Sequence, residues 1–386
     1  MELKEHHLEI QKATRRFVDQ EVIPIADRLD REEGLISEDL IQQMADLGIY
    51  GIIIPEAWGG AGLDAVSMAI VTEELCRGSL AVGSLPQRNI GMGMNLYRSG
   101  TEEQKKRLLP LIASGKIQTA SAGTEPEAGS DAANIKTTAK KVGNKYVLNG
   151  TKVFCTFAER ADLLFVYART DPEARPKHRG ISCFMVEKPG NAFAPPHLTG
   201  EPIPTCGYHG MGTYTLYFDN LEVPEENLLG GVEGKGFYQL MGGYEIARVG
   251  FAARCVGLTQ AAFEKALEYS KQRVQFDQPI SNFQAIRFRL AQMATDIEAA
   301  RYLTYNVARL YDTGKRCDLE AGMAKLFASE MCIKHTWGAL QLHGGYGYTK
   351  EYSVNRFWRD SALMPIGEGT TEVQMEIIAR RLLNGK

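Results

Sequence analysis

The sequence predicts an α+β multidomain protein: an N-terminal all-α block, a small central β block and a second helical block. Three observations predict it. Apolar residues recur at helical spacing before about residue 117 and again after about residue 236. Between them, short apolar and β-branched runs alternate with Pro, Gly and Asp, and no helix-length pattern interrupts them. A length of 386 residues accommodates two or three domains of roughly 100–200 residues each. The boundaries set by this reading are 1–117, 118–230 and 231–386.

In the first block, Leu40, Ile41, Met44 and Leu47 share a helix face, with Ser37 as the N-cap. Thr101-Glu102-Glu103-Gln104 fits a capping box, in which the Thr hydroxyl and the Gln side chain satisfy exposed amides reciprocally, and its helix is expected to run to about Ser114. Residues 54–63 read as a Gly-rich loop. In the second block, Tyr146-Val147-Leu148 leads into Asn149-Gly150, a hairpin-turn signal. Residues 163–167, 181–186 and 215–218 are further strand candidates, and 170–179 form a polar loop. The third block carries candidate helices at 236–273, 280–313, 318–342 and 372–384. A β block between two helical blocks offers a cleft where all three meet, a junction that ligand sites favour.

Composition narrows the function classes. Hydrophobic residues make up 44% and charged residues 24%, enough for a large core. The net charge of −3 has no basic block behind it, so nucleic-acid binding has no electrostatic footprint. Cys76, Cys155, Cys183, Cys206, Cys255, Cys317 and Cys332 are odd in number, with no C-x-x-C spacing and no Cys/His cluster that suggests a metal. This usage predicts reduced thiols in a cytoplasmic protein. The N-terminal residues carry early acids and no apolar core, so no signal peptide is expected. No window approaches the ~20 apolar residues of a membrane span.

Several stretches could carry chemistry. At 121–131, Pro126 and Gly129 force turns while Thr124, Ser130 and Asp131 offer hydrogen-bonding groups, and turn amides can meet a phosphate or a ring carbonyl. In the strand 149–156, Phe154 could face a planar ring and Thr156 offer a hydroxyl. Glu368 sits between two glycines, just before a second capping box at Thr371-Glu372-Val373-Gln374, where a tight loop can present a carboxylate to a cleft. Arg273 could complement a helix dipole or grip a pyrophosphate. The Gly344-Gly345 pair ends a helix and exposes backbone. Taken singly, each has a plainer reading as a polar turn, an amphipathic strand or a solvated acid.

Together, TEPEAGSD at 124–131, NGTKVFCT at 149–156, QRVQFDQPISNFQ at 272–284, QLHGGYGY at 341–348 and EGTTEVQ at 368–374 resemble the signatures of the acyl-CoA dehydrogenase family, in order and across nearly the whole chain. LYFDNLEVPEENLLG at 216–230 and YEIARVGFAARCVG at 244–257 extend the resemblance. It implies an N-terminal helical domain, a β-barrel-like middle domain, a C-terminal four-helix bundle and bound FAD. Carried over by position, Ser121, Gly123, Thr124, Phe154 and Thr156 would lie along the flavin. Arg273, Phe276, Gln284, Gln341, Gly344 and Gly345 would hold the pyrophosphate and adenine half, usually of a neighbouring subunit's FAD. Thr370 and Glu372 would border the FAD of their own subunit. Ser130, Glu245, Arg248 and Gly369 would contact the acyl-CoA, and Glu368 would be the catalytic base.

The implied reaction is α,β-dehydrogenation of an acyl-CoA thioester by a homo-oligomer, usually a tetramer built as two dimers, passing electrons to an electron-transferring flavoprotein. Gly367 stands where the family commonly has Tyr, which should widen the cavity and suit a branched or alicyclic acyl group. Phe154 replaces the more usual Trp, and Met211 and Gly212 occupy a stretch that is often more polar. The segment 79–100 has no acid, and Arg88 and Arg98 within it are expected to be surface or structural residues. The alternatives are a straight-chain short- or medium-chain dehydrogenase, an O₂-reacting oxidase or hydroxylase, and a non-catalytic scaffold.

Overall fold

In a computed structural model, which describes residues 3–384, the chain begins with α1 (Glu5–Phe17), a π-helical turn (Val18–Val22), α2 (Ile23–Arg31) and α3 (Glu38–Asp46). Next come α4 (Ala65–Gly78), α5 (Leu80–Ser99) and α6 (Glu102–Ala113). The N-terminal signals act as expected. Ser37 Oγ accepts the Leu40 amide at 3.2 Å. Thr101 and Gln104 close the reciprocal box at 3.3 and 3.0 Å. Leu40, Ile41 and Met44 are buried, whereas Leu47 lies at the helix end and is exposed.

The middle block is one curled sheet of β1 (Thr119–Ala122), β2 (Thr138–Val142), β3 (Lys145–Thr156), β4 (Leu163–Arg169), β5 (Ile181–Glu187), β6 (Leu198–Pro202) and β7 (Thr213–Pro224). Its order is β1-β4-β2-β3-β7-β6, with β5 added to β4. β4 shows why the sheet has no wet face at its centre. Leu164, Val166 and Ala168 enter the core that the sheet curls around, while Leu163, Phe165 and Tyr167 join the core shared with the helices. The period of two thus feeds two cores from one strand.

The hairpin expected at Asn149-Gly150 is not there. β3 runs straight through that pair, and the chain reverses at Gly143-Asn144 between β2 and β3. Gly150 instead marks a bulge against β7, with a φ of +149°. A Cβ at this position would lie 2.5 Å from Thr137 Oγ1, so close approach is what demands glycine there.

The third block contains α7 (Gly236–Gln272), a two-residue hairpin of β8 (Val274–Gln275) and β9 (Gln278–Pro279), α8 (Gln284–Asp312), α9 (Asp318–Leu342), α10 (Ser353–Ser361) and α11 (Thr371–Asn384). α7, α8 and α9 pack on one another and α11 packs on α9, which makes the four-helix bundle. The helix expected from 280 begins at Gln284, after a 3-10 turn at Ile280–Asn282. α10, nine residues long, is not among the expected helices. The final helix is capped by Thr370 rather than Thr371: Thr370 Oγ1 accepts the Val373 amide at 3.3 Å, which frees Gln374 for another task.

α4 packs on α7 and α8, and α5 packs on α7, so the two helical blocks share one core. Each large aliphatic or aromatic side chain buried there contributes about 1.5–3 kcal/mol. Among the described residues all seven cysteines are free thiols, and no helix is long and apolar enough to cross a membrane.

Candidate active site

The turn between α10 and α11 presents Glu368 in the left-handed region, at φ +55°, followed by Gly369 at +90°. Outside glycine such a conformation needs outside support. Gln374 supplies part of it, its side-chain amide donating to the carbonyls of Glu368 and Gly369 at 3.1 and 3.2 Å. Lys325, on α9, supplies the rest: its fully buried Nζ donates to the Gly369 carbonyl at 2.8 Å. A Cβ on Gly369 would lie 2.6 Å from Gln374 Nε2, so this clamp requires glycine. The amides of Gly367 and Thr371 are used within the turn, whereas those of Glu368, Gly369 and Thr370 meet no acceptor among the described residues. The loop therefore offers a carboxylate beside free donors at a helix N-terminus.

α7 forms the facing wall. Arg248 is 6% exposed, its guanidinium lies 5.2 Å from the Tyr244 ring centroid, and its Nε has no partner among the described residues. Burial lowers the Arg248 pKa, while Tyr244 and Glu368 pull it back up. Burial, then the nearby Glu368 charge, raises the Tyr244 phenol. Burial lowers the Lys325 ammonium, against which Glu368 also acts. Glu368 therefore sits in the field of two buried cations. Glu245 is committed elsewhere, its carboxylate accepting the Cys317 amide at 3.1 Å at the start of α9.

Gly367 meets α7 at Phe251. A Cβ on Gly367 would lie 3.1 Å from Phe251 Cε2, so the ring occupies the near side of the space that a missing side chain was expected to open. Phe251 is itself flanked by Lys325 at 5.1 Å and by Arg254 at 4.5 Å from its centroid.

The β block contributes an exposed aromatic. Phe154 sits at a register shift in β3 with φ +56° and is 65% exposed. Thr156 Oγ1 meets Thr213 Oγ1 at 3.2 Å. Ser121 lies on β1, and Gly123 and Thr124 follow it. The Thr124 carbonyl accepts the Val153 amide at 2.9 Å, tying the 121–131 turn to β3. A buried pair beneath it fixes that turn: Lys152 Nζ bonds Glu125 at 2.8 Å and the Gly123 carbonyl at 3.0 Å. Ser130 is exposed on the same turn. An uncovered aromatic face beside turn amides and hydroxyls fits the planar, hydrogen-bonding ring of FAD.

The remaining expected residues gather at the other end of the bundle. Arg273, Phe276, Gln284, Gln341, Gly344 and Gly345 are exposed where α7 and α9 end and α8 begins. Arg273 lies 5.8 Å from the Tyr346 ring centroid, and Phe276 is 88% exposed at the tip of the β8–β9 hairpin. Lys325, beside Glu368, and Gln341 share α9 and are roughly 24 Å apart at 1.5 Å per residue. The predicted residues thus form two separate groups. Thr370 and the exposed Glu372 stay with Glu368, where the Glu372 amide and the Thr370 hydroxyl hold the Glu372 carboxyl below its ordinary value.

Sequence reasoning missed Lys325, Gln374, Phe251 and Arg254. The available signal was a charged residue inside an otherwise apolar helix, which Arg254 and Lys325 both show. Arg98 takes the structural role expected of it, donating to the Gly242 carbonyl at 2.6 Å. Arg88 does not: it is half-buried and makes no hydrogen bond or ion pair among the described residues. The fold also brings the ligand atoms of His6, His7 and Asp64 within 4.8 Å of one another, a group no motif announced. Asp64 caps α4 through Ser67. Burial pushes its carboxyl up, but hydrogen bonds from Ser67 and His7 bring it down to about 2.

Comparison with known proteins matches all three blocks. Residues 4–116, 120–221 and 234–383 match the N-terminal, middle and C-terminal domains of acyl-CoA dehydrogenase. The (2S)-methylsuccinyl-CoA dehydrogenase of Cereibacter sphaeroides is 42% identical over 96% of this chain and 68% of its own length. Subunit CarC of the caffeyl-CoA reductase–Etf complex of Acetobacterium woodii is 40% identical over 99% of this chain and all of its own. The structure of butyryl-CoA dehydrogenase from Megasphaera elsdenii superposes with a TM-score of 0.94 at 36% identity, covering 99% of both chains.

Proposed function

The chain belongs to the acyl-CoA dehydrogenase family of FAD-dependent oxidoreductases that dehydrogenate acyl-CoA thioesters, and from that premise we propose that Glu368 is the base that removes the α-proton. The observation that carries this reading is the clamped turn: a carboxylate held at φ +55° by Gln374 and Lys325, beside the unpartnered Arg248.

Each residue of the turn has its own task. The Glu368 carboxylate accepts the proton from the carbon next to the thioester. Its free backbone N–H donates to the thioester carbonyl, where negative charge develops as the proton leaves. Lys325 fixes the loop through the Gly369 carbonyl, so the carboxylate meets the substrate without reorganising. FAD, when bound, would supply the two-electron acceptor for the β-hydride. Ser121, Gly123, Thr124, Phe154, Thr156, Thr370 and Glu372 would hold the flavin half. Arg248, Gly369 and Ser130 would contact the acyl-CoA, whereas the bond from Glu245 to Cys317 favours a structural role for that residue.

The second group, at the far end of the bundle, supports a homo-oligomer in which Arg273, Phe276, Gln284, Gln341, Gly344 and Gly345 receive FAD from a neighbouring subunit. One chain places the two groups too far apart to read as one compact site. The exposed Phe276 and Phe288 are the kind of surface such an interface covers. A tetramer of two dimers is the expected state, measured by light scattering on the FAD-loaded protein; a monomer with full FAD occupancy would contradict it. An electron-transferring flavoprotein is the proposed acceptor; the relative CarC is itself a subunit of a complex with Etf. Anaerobic mixing with acyl-CoA esters tests the core reading. Bleaching of the flavin by at least one ester is expected, and no bleaching by any ester of either charge type would contradict it.

A further inference from the structure

We propose that the acyl pocket ends in a carboxylate-binding subsite formed by Arg254 and Arg88 beside Ser84, so that the substrate class is a short dicarboxylyl-CoA, esterified at one end and ionised at the other. This deepens the reading of the Glu368 cleft and rests on it.

The line from base to subsite can be followed residue by residue. Glu368 adjoins Gly367, Gly367 packs on the Phe251 ring, and the Arg254 guanidinium stacks on that ring at 4.5 Å. Arg254 lies about one helical turn, ~5 Å, beyond Phe251 along α7. A CoA ester whose α-carbon meets Glu368 and whose chain passes the ring brings its far end to this guanidinium. From α5, Ser84 Oγ lies 3.4 Å from Arg254 Nη1. Arg88 follows Ser84 by four positions and so shares its helix face. The two arginines therefore approach one region, from α7 and from α5.

Neither has a protein counter-charge. Arg254 is 8% exposed, its Nε has no partner, and its one hydrogen bond is to Ser84. Arg88 Nε is likewise without a partner. Among the described residues no carboxylate lies within 4.0 Å of either, although Arg77, Arg160, Arg301, Arg356 and Arg359 are each paired with one. Withdrawing a guanidinium from water without an anion is costly. A ligand carboxylate removes that cost on binding, and the guanidinium fork suits its two oxygens. A purely hydrocarbon acyl chain would instead be driven against the desolvated Arg254.

The test uses the FAD-loaded protein and pairs of CoA esters matched in length: glutaryl-CoA against pentanoyl-CoA, and succinyl-CoA against butyryl-CoA. Anaerobic flavin reduction and dissociation constants are measured for each. The proposal expects the diacid member to be preferred at least tenfold. Arg254→Met should abolish that preference, and Arg254→Lys should not restore it. Arg88→Met should reduce the preference; being half-buried, it serves if Arg254→Met fails to fold. Equal or better use of the uncharged esters overturns the subsite while leaving Glu368 as base. Failure of all four esters to reduce the flavin overturns the reading of the cleft, and the subsite with it.

Discussion

Arginines largely withdrawn from solvent occur in two settings in this molecule. At the seams between blocks each has a carboxylate. Arg359 on α10 and His209 in the β block both meet Asp30 on α2, at 2.9 Å each, so one acid ties all three blocks together. Arg356 meets Asp27 at 3.0 Å, and Arg301 meets Glu73 at 2.9 Å. Around the cleft, Arg248 and Arg254 are as deeply buried and have none. A seam charge left without its partner weakens the fold. A cleft charge without a partner costs the fold energy that only a ligand can return. The difference separates charges that hold the chain together from charges that await something else.

Substitutions at the seam should show the largest stability loss. Asp30→Ala strands Arg359 and His209 together, and breaking a buried pair costs about 3–5 kcal/mol. Denaturant titration should find that loss, while the folded fraction keeps its flavin reduction rate. The Asp30 carboxyl is pushed up by burial but brought below its ordinary value by Arg359 and His209. Its stabilisation is therefore full above the unfolded-state pKa and is lost as pH falls through the lower folded value. In Asp30→Ala the acid side of the stability profile should flatten. A cleft substitution should do the reverse: Arg254→Met should leave stability unchanged or raise it, because an unpaired buried charge is gone. A loss as large as that of Asp30→Ala would erase the contrast. Thr101→Ala, which removes a helix cap far from both settings, should cost only about 1 kcal/mol by the same titration. Asp64→Asn should act on the pH profile instead. The Asp64 carboxyl is held at about 2, so the variant should lose pH dependence only between about 4 and 2, where the parent's contribution fades as pH falls.

The block order, the helix ends at 236 and 318–342 and the Thr101 box were legible because they rest on period and on local capping, which need no tertiary partner. Asn149-Gly150 misled because the same dipeptide serves a bulge when Thr137 crowds the backbone, and that neighbour is distant in sequence. Thr371 lost the cap to Thr370 because Gln374 turns back to hold the Glu368 carbonyl. Most of the candidate site was readable only through the family resemblance. Gly367 announced a wider pocket, but its partner Phe251 comes from another helix. The unpaired state of Arg248 and Arg254 is a fact about what surrounds them, which no window of sequence contains.

The central claim is that the clamped turn serves proton removal by Glu368. Rapid anaerobic mixing of the FAD-loaded Glu368→Gln variant with a CoA ester that bleaches the parent tests it most directly. FAD and ester binding should be retained, and the bleaching rate should fall by about 10²–10⁴-fold, the usual contribution of a positioned base. Bleaching within a few-fold of the parent rate, with the ester bound, would show that another group takes the proton.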